Sequence, residues 1–571
     1  MAFLRNILAK QSPITNAFTN TIWHRQMSGG NPVECKVAVI TGGAIGIGVA
    51  CAKSLLENGA RGVMLGDIRE KEGKELAAEL NKTYGKDKAL FMKCDVTKKD
   101  EFENLFKCTY QRFPSMDIVI NNAGLLQDKY WPLELAVNVN GLVQGTLFGF
   151  HYMGKHGKHE KGRGGVIVNM ASIYGLQQAY ACPVYNGTKG FVIRFSNAMS
   201  HEYYEKMTGV KVLTMCPGVT DTNMIDESST YALDGFGDLG KLVSEGLANL
   251  PPQPASACGD CLIKMLCSGE NGGIWVIEES ECYKVRLPDR QTLRTVSIMF
   301  RLLFLKNIRN IASIFLAKRL QWPRNTLQKS SLARGRNEAQ PEQPPKPHKE
   351  IFFPQLGRDG IKDKVALVTG GTDGIGLRCV RELLRTGARG VMIADTNESK
   401  GFNRVIEFSK DYGQSRIAFI QINPANYVLL KNAFISTLNF YEGLDIVINN
   451  VRFKEKNWED QVDENIKGIV LSTQLCLEFM GRNNGGKGGI LLNIVSEYEE
   501  NTDSCPLHSA CQDFVVRFDR SVATSHFDTT NVKVLTICRA SFDTIGCDLT
   551  TILTKGTNGC VWMPCTCASD S

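Results

Sequence analysis

The chain has 571 residues, 43% of them hydrophobic and 22% charged, with a formal net charge of +7. That length supports two or more domains, each with a core of its own, and the composition excludes a disordered or fibrous chain. Nineteen cysteines without a secretory signal pattern argue for reduced thiols inside the cell, and neither Cys258-Gly-Asp-Cys261 nor Cys565-Thr-Cys567 has the second ligand pair of a zinc site, so no metal is expected.

Residues 1–30 carry Arg5, Lys10 and Arg25, no acid before Glu34, and Phe3, Leu4, Ile7 and Leu8 at helical spacing. The stretch reads as a mitochondrial leader or as a disordered tail, which leaves the cytoplasm and the mitochondrial matrix both open. From Lys36 the order Val-Ala-Val-Ile-Thr-Gly-Gly-Ala-Ile-Gly-Ile-Gly predicts a buried strand, a glycine turn and a helix starting near Ile45. Thr41, Gly42, Gly46, Ile47 and Gly48 would let the backbone approach a pyrophosphate seated on the helix N-terminus, where free N–H groups and the dipole favour anions. A second apolar strand, Gly62 to Leu65, ends in Gly66-Asp67, twenty-six residues past Thr41. A carboxylate there accepts ribose hydroxyls and repels a ribose phosphate, which favours NAD over NADP, with Arg69 close enough to soften the preference.

A strand from Ala89 to Lys93 closes in Cys94-Asp95-Val96, and another, Asp117 to Ile120, runs into Asn121-Asn122-Ala123-Gly124. Asn138-Val-Asn-Gly141 opens a long helix, and Val166 to Met170 is a strand that delivers Ser172. Thirteen residues on stands Tyr185, with Lys189 four further along and so on the same helical face. A phenol is a poor base near neutrality, but a neighbouring ammonium favours its ionised form, and a serine hydroxyl opposite can hold the oxygen of an alcohol or carbonyl. Alternating strands and helices predict a parallel sheet covered on both faces, with its ligand site at the strand ends.

Over residues 33 to 282 these motifs resemble the short-chain dehydrogenase/reductase family: Thr-Gly-x-x-x-Gly-x-Gly at 41 to 48, Asp95, Asn-Asn-Ala-Gly at 121 to 124, Asn138, Ser172, Tyr185 and Lys189. Cys216-Pro217-Gly218-Val-Thr-Asp-Thr222 looks like the family's nicotinamide-side loop. Within the family, Pro183-Val-Tyr-Asn-Gly-Thr-Lys189, Pro254-Ala-Ser-Ala-Cys258 and Asn271-Gly-Gly-Ile-Trp275 are similar to insect-type alcohol dehydrogenase, and Asn169-Met-Ala-Ser172 with the Cys-Pro-Gly run to NAD-dependent 15-hydroxyprostaglandin dehydrogenase. The resemblance implies that Tyr185 exchanges the substrate proton as hydride passes to NAD, that Lys189 lowers the tyrosine pKa and holds the nicotinamide ribose, that Ser172 orients the reacting oxygen, and that Asn138 positions water and the lysine. Cofactor contacts are then expected from Thr41, Gly42, Gly46, Ile47, Gly48, Asp67, Asp95, Val96, Asn122, Ala123, Gly124, Tyr185, Lys189, Pro217, Gly218 and Thr222. The substrate-facing segment is expected to follow Thr222 as far as Leu242, with Gln178 and Tyr180 facing the pocket.

Residues 283–349 hold fifteen Lys and Arg against three acids, a local +12 that leaves the rest of the chain at −5. Phe300, Phe304, Ile308, Ile311 and Phe315 share a helical face there, but Arg301, Lys306 and Arg309 rule against a membrane span, and Gln340 to Pro347 reads as an extended linker. With the positive charge held in one linker, nucleic-acid binding is not expected. The stretch that begins at Met299 looks like the leader, so the two halves read as duplicated units, either fused or joined only in a gene model.

From Lys364 the opening motif recurs with an offset of 328: Thr369, Gly374 and Gly376 repeat the glycine turn, and Asp395 again stands twenty-six residues past the threonine. Asn465, Ser496 and Thr544 match Asn138, Ser172 and Thr222. His508 and Gln512 replace the tyrosine and lysine, Asn423 replaces Asp95, Arg452 replaces Gly124, and Arg539-Ala540 replaces Pro-Gly. The expected architecture is α/β: two tandem Rossmann-like, doubly wound parallel-sheet domains, at 31–282 and 356–571, joined by a basic linker at 283–355 after a leader or tail at 1–30. The first is expected to be an NAD-dependent dehydrogenase interconverting a secondary alcohol and a ketone; the alternatives are oxidation of a lipid hydroxyl and a non-catalytic NAD(H)-binding scaffold. The second is expected to fold alike and be catalytically silent, with the halves paired within the chain or the protein a homo-oligomer.

Overall fold

A computed structural model describes residues 31–155, 162–222, 250–287, 360–450, 457–495, 506–538 and 545–562. The leader, the linker from residue 288 and its helix, the segment 223–242, Arg452, Ser496, Arg539, Ala540 and Thr544 lie outside the described residues.

Val37–Thr41 (β1) is buried along its whole length, as its unbroken apolar run requires of a central parallel strand. Gly62–Asp67 (β2) and Ala89–Lys93 (β3) add to one side of it, and Ile118–Asn121 (β4), Gly165–Met170 (β5), Val210–Pro217 (β6) and Ile274–Glu278 (β7) to the other. All these pairs are parallel, with Val39 opposite Met64 on one side and Val119 on the other. The chain departs from the expected purely parallel sheet at Glu281–Val285 (β8), a hairpin strand antiparallel to β7. Chain direction across the sheet reverses between β1 and β4, and such a switch opens a crevice at the carboxyl ends of the strands.

The longer described helices of this half are Gly46–Glu57 (α1), Glu70–Tyr84 (α2), Lys99–Arg112 (α3), Leu142–Met153 (α4), Pro183–Met199 (α5) and Ala255–Ser268 (α6). The predicted long helix at Asn138 opens as a π-helical turn, Ala136–Gly141, ahead of α4. One thiol expectation is overturned: Cys261 of α6 and Cys282 of β8 form a disulfide, because helix and hairpin set their Cα atoms 5.7 Å apart.

The second half repeats the plan. Its seven strands run in the order β11-β10-β9-β12-β13-β14-β15, with Val365–Thr369 (β9) central and Ile417–Gln421 (β11) and Val561–Trp562 (β15) at the edges. The others are Gly390–Asp395 (β10), Ile446–Asn450 (β12), Gly489–Val495 (β13) and Val532–Cys538 (β14). The helix in the position of α5 is long, Pro506–Thr530 (α11, after Gly374–Arg385, Glu398–Tyr412, Tyr427–Tyr441 and Gly468–Met480 as α7 to α10).

The two halves meet along α5 and α11. Phe514 lies fully buried against Gly187, where an added Cβ would stand 2.7 Å from the ring. Arg517, ion-paired to Asp513 at 2.6 Å, covers Gly190, and the Ser521 hydroxyl donates to Asn186 Oδ1 at 3.0 Å. The glycines are there because backbone must come this close; any side chain would displace the partner helix.

Candidate active site

The crevice is built from the ends of β1 and β4. Gly42, at φ +61°, turns the chain out of β1, and Gly46, at φ +56°, turns it into α1. A Cβ on Gly48 would lie 2.2 Å from Gly42 O, so only glycine lets the helix start so near the turn. Thr41 ties the two strand ends together: its hydroxyl accepts from Asn122 N at 3.0 Å and Ala123 N at 3.1 Å. Asn122 Nδ2 returns the link by donating to Thr41 O at 3.0 Å and Gly42 O at 2.9 Å. Ile45, at the cap position of α1, contributes no side-chain cap, so the first N–H groups of this helix are left to an anion. Thr222 packs its methyl 3.1 Å from where a Cβ of Gly46 would stand, which brings the loop after Pro217 and Gly218 to the glycine turn.

Asp67 ends β2 buried, with one carboxylate oxygen accepting from Ala44 N at 3.0 Å and the other from Arg69 N at 3.0 Å. It is thereby fixed at the mouth of the glycine turn. Asp95 differs. Its carboxylate accepts from Thr97 N and Oγ1 at 3.0 and 2.7 Å and so serves its own turn, while Val96 packs on Gly141.

Ser172 follows β5 close to the phenol of Tyr185, and its Oγ accepts from Tyr174 N at 3.2 Å. Lys189 projects from the same face of α5, its Nζ 5.5 Å from the centre of the Tyr185 ring and donating to Met170 O at 3.1 Å. Gly124 lies next to it, where a Cβ would be 3.3 Å from the ammonium. The structure brings Ser172, Tyr185, Lys189, Gly124 and Asn138 near one another. The expected electrostatics are not met. Burial pushes the Tyr185 phenol up, the nearby Ser172 hydroxyl only partly opposing it, and burial draws Lys189 down to about 8. Both charged forms lose water here, and one ammonium at this distance does not compensate the phenolate.

Asn138 spends its amide on the chain after β4, accepting from Leu125 N at 2.8 Å and donating to Leu125 O at 2.8 Å and Thr188 Oγ1 at 3.2 Å. Gln178 and Tyr180 sit on the surface. Two residues escaped the sequence reading: Asp128 and Glu134, both fully buried behind Tyr185 and Lys189. Their only signal in the sequence is an acid four residues before Asn138.

In the second half, His508 and Gln512 bond to each other, and burial lowers His508 to about 4, which leaves it neutral near pH 7. The first N–H of α7 is already taken, since Asp373 Oδ1 accepts from Gly374 N at 2.8 Å and its other oxygen pairs with Lys400 at 3.0 Å. Among the described residues no cluster of side chains suited to hold a metal ion occurs, and no helix is long and apolar enough to cross a membrane.

A doubly wound sheet, a glycine turn at its switch point, and serine, tyrosine and lysine at the neighbouring strand end define a dehydrogenase fold. The sequence model for short chain dehydrogenase matches residues 36–232 and again 364–547, and the chain belongs to that family. It is similar to 15-hydroxyprostaglandin dehydrogenase [NAD(+)] of Mus musculus, 35% identical over 34% of this chain and 71% of that protein. It is similar also to alcohol dehydrogenase 2 of Ceratitis capitata, 32% identical over 44% of this chain and 94% of that one. A crystal structure of 3-ketoacyl-(acyl-carrier-protein) reductase from Brucella melitensis complexed with NADH matches 43% of this chain and 97% of its own at 22% identity, with a TM-score of 0.35.

Proposed function

We propose that residues 31–282 form an NAD-dependent dehydrogenase that interconverts a secondary alcohol and a ketone, and that residues 356–571 are a catalytically silent partner. The observation that carries this reading is the joint placement of Ser172, Tyr185 and Lys189 beside an uncapped glycine turn. NAD, when bound, supplies the hydride acceptor and, in its oxidised form, a positive charge beside the phenol. Thr41, Gly42, Gly46, Ile47 and Gly48 would hold its pyrophosphate, Asp67 its adenosine ribose, and Asn122, Ala123, Gly124, Pro217, Gly218 and Thr222 would flank its nicotinamide half. Ser172 holds the substrate oxygen, and Tyr185 takes or returns the hydroxyl proton at its phenol oxygen. Lys189, one turn further along, stands where it reaches a ribose hydroxyl.

The names of the two groups of relatives point to an alcohol and to the hydroxyl of a prostaglandin. A screen of short and long secondary alcohols with NAD, read as NADH absorbance, decides between them. Tyr185→Phe should then lose about 100- to 10,000-fold in turnover, the usual worth of a positioned acid–base group, and still bind NADH. Unchanged turnover in that variant refutes the proposal, and no turnover of any alcohol by the parent chain returns the reading to a nucleotide-binding scaffold.

A further inference from the structure

Behind the site, α5 begins against two carboxyl groups. Asp128 accepts from Val184 N at 2.7 Å and Tyr185 N at 3.1 Å, the first free N–H groups of the helix, so it caps α5 from outside the helix sequence. Glu134 accepts from Gln127 N at 2.9 Å, approaches Asn138 Nδ2 at 3.5 Å and lies fully buried beside Asp128. Two carboxyl groups buried side by side cannot both be ionised without strong repulsion, so one of them keeps a proton. The helix N–H groups hold Asp128 as the anion, which leaves the proton on Glu134.

The geometry points to Asp128 and Glu134 as a positioning pair that shares one proton: the Asp128 anion fixes the first turn of α5, from which Tyr185 and Lys189 project, and Glu134 donates to it. Burial raises both groups, Asp128 to about 7 and Glu134 well above its usual range, in keeping with a retained proton. The other titratable groups facing the pair are Cys182, whose thiol burial keeps neutral, Tyr185, and Lys189, which burial draws down. An internal comparison supports the assignment. Gln461 stands four residues before Asn465 as Glu134 does before Asn138, so the half that lacks the tyrosine and lysine also lacks this carboxyl.

The positioning role rests on the proposed reaction, but the tests need no substrate and so fail or succeed apart from it. In full-length Glu134→Gln, the amide keeps a donor for Asp128 and an acceptor for Gln127 while the proton can no longer leave. The unfolded chain releases the Glu134 proton above about pH 4.3 and the folded chain keeps it, so with rising pH wild type loses this stability in addition to whatever both proteins lose through other groups. Thermal midpoints from about pH 5.5 to about pH 8 should show a gap widening in favour of Glu134→Gln. A gap constant across that range overturns the shared proton. In Asp128→Asn, which aims an N–H2 at a helix N–H or surrenders one acceptor, backbone exchange in the peptide covering residues 183–191 should accelerate at least tenfold, and in Glu134→Gln it should not. Equal protection in the two variants overturns the positioning role.

Discussion

The contact between Gly187 and Phe514 allows the union of the halves to be tested without knowing what the enzyme turns over. In an isolated helix Gly187→Ala stabilises by about 0.5–1 kcal/mol, because alanine loses less backbone freedom on folding. Here the new methyl would stand 2.7, 2.8 and 3.1 Å from ring atoms of Phe514, whose side chain is fully buried and has nowhere to move. Overpacking of this kind costs about 1–3 kcal/mol, so the substitution is destabilising on balance. Phe514→Ala removes the obstacle and itself costs about 3–5 kcal/mol through lost burial and a cavity. In that background Gly187→Ala should turn stabilising, as propensity acts unopposed and the methyl enters the space the ring has left. The double-mutant cycle, read from denaturant unfolding of the full chain, should give a coupling of at least about 1 kcal/mol with a reversal of sign. Additive effects would refute the packing of α5 on α11.

Asp67→Asn removes the charge that repels a ribose phosphate, so the ratio of NADP to NAD affinity should rise more than about tenfold by fluorescence titration. Calorimetry with NADH should return about one site per chain, because Asp373 already takes the first N–H of α7; two equal sites would contradict the assignment of roles to the halves. Asp519 is buried, accepts from Asn493 Nδ2 at 2.6 Å and Thr536 Oγ1 at 2.7 Å, and is raised to about 7 by burial. Its folded state thus holds a proton that the unfolded chain has released, and stability falls as pH rises from about 4 to about 7. Asp519→Asn, which keeps an acceptor for Asn493 and offers Thr536 a donor, should gain on wild type by roughly 1.4 kcal/mol per pH unit between about pH 5 and about pH 7; parallel curves would count against a proton at this site.

What could be read from the sequence was whatever local chemistry determines. Glycines at 42 and 46 announce themselves because only glycine adopts their backbone angles cheaply, and Ala89–Lys93 and its neighbours follow from unbroken apolar runs between polar turns. Ser172, Tyr185 and Lys189 were legible by spacing. What stayed hidden depends on distant segments. Asp128 and Glu134 look like loop acids until the start of α5 is laid over them, and a disulfide between Cys261 and Cys282 becomes visible only when a hairpin sets β8 beside α6. Gly187 and Gly190 look like poor helix formers, and their reason lies some three hundred residues further along the chain. The depressed phenol failed for a related cause: its spacing to Lys189 was right, but the burial of both groups is a property of the assembled fold.

A single helix therefore answers to three neighbours. One face of α5 presents Tyr185 and Lys189, a second meets α11 through Asn186, Gly187 and Gly190, and its first turn is held by Asp128. Asn186 joins two of these: it accepts from Ser521 of the second half while its amide donates to Gln177 O and to Tyr174 O, in the loop that carries Ser172. A shift of α11 is thus passed by direct bonds to both sides of the site. The second half has lost its tyrosine and lysine, which face inward, and has kept the large residues of α11, which face its neighbour. Packing and chemistry on α11 involve different side chains: His508 and Gln512 bond to each other, while Phe514, Arg517 and Ser521 meet α5, so the contact with the first half does not depend on what stands at positions 508 and 512.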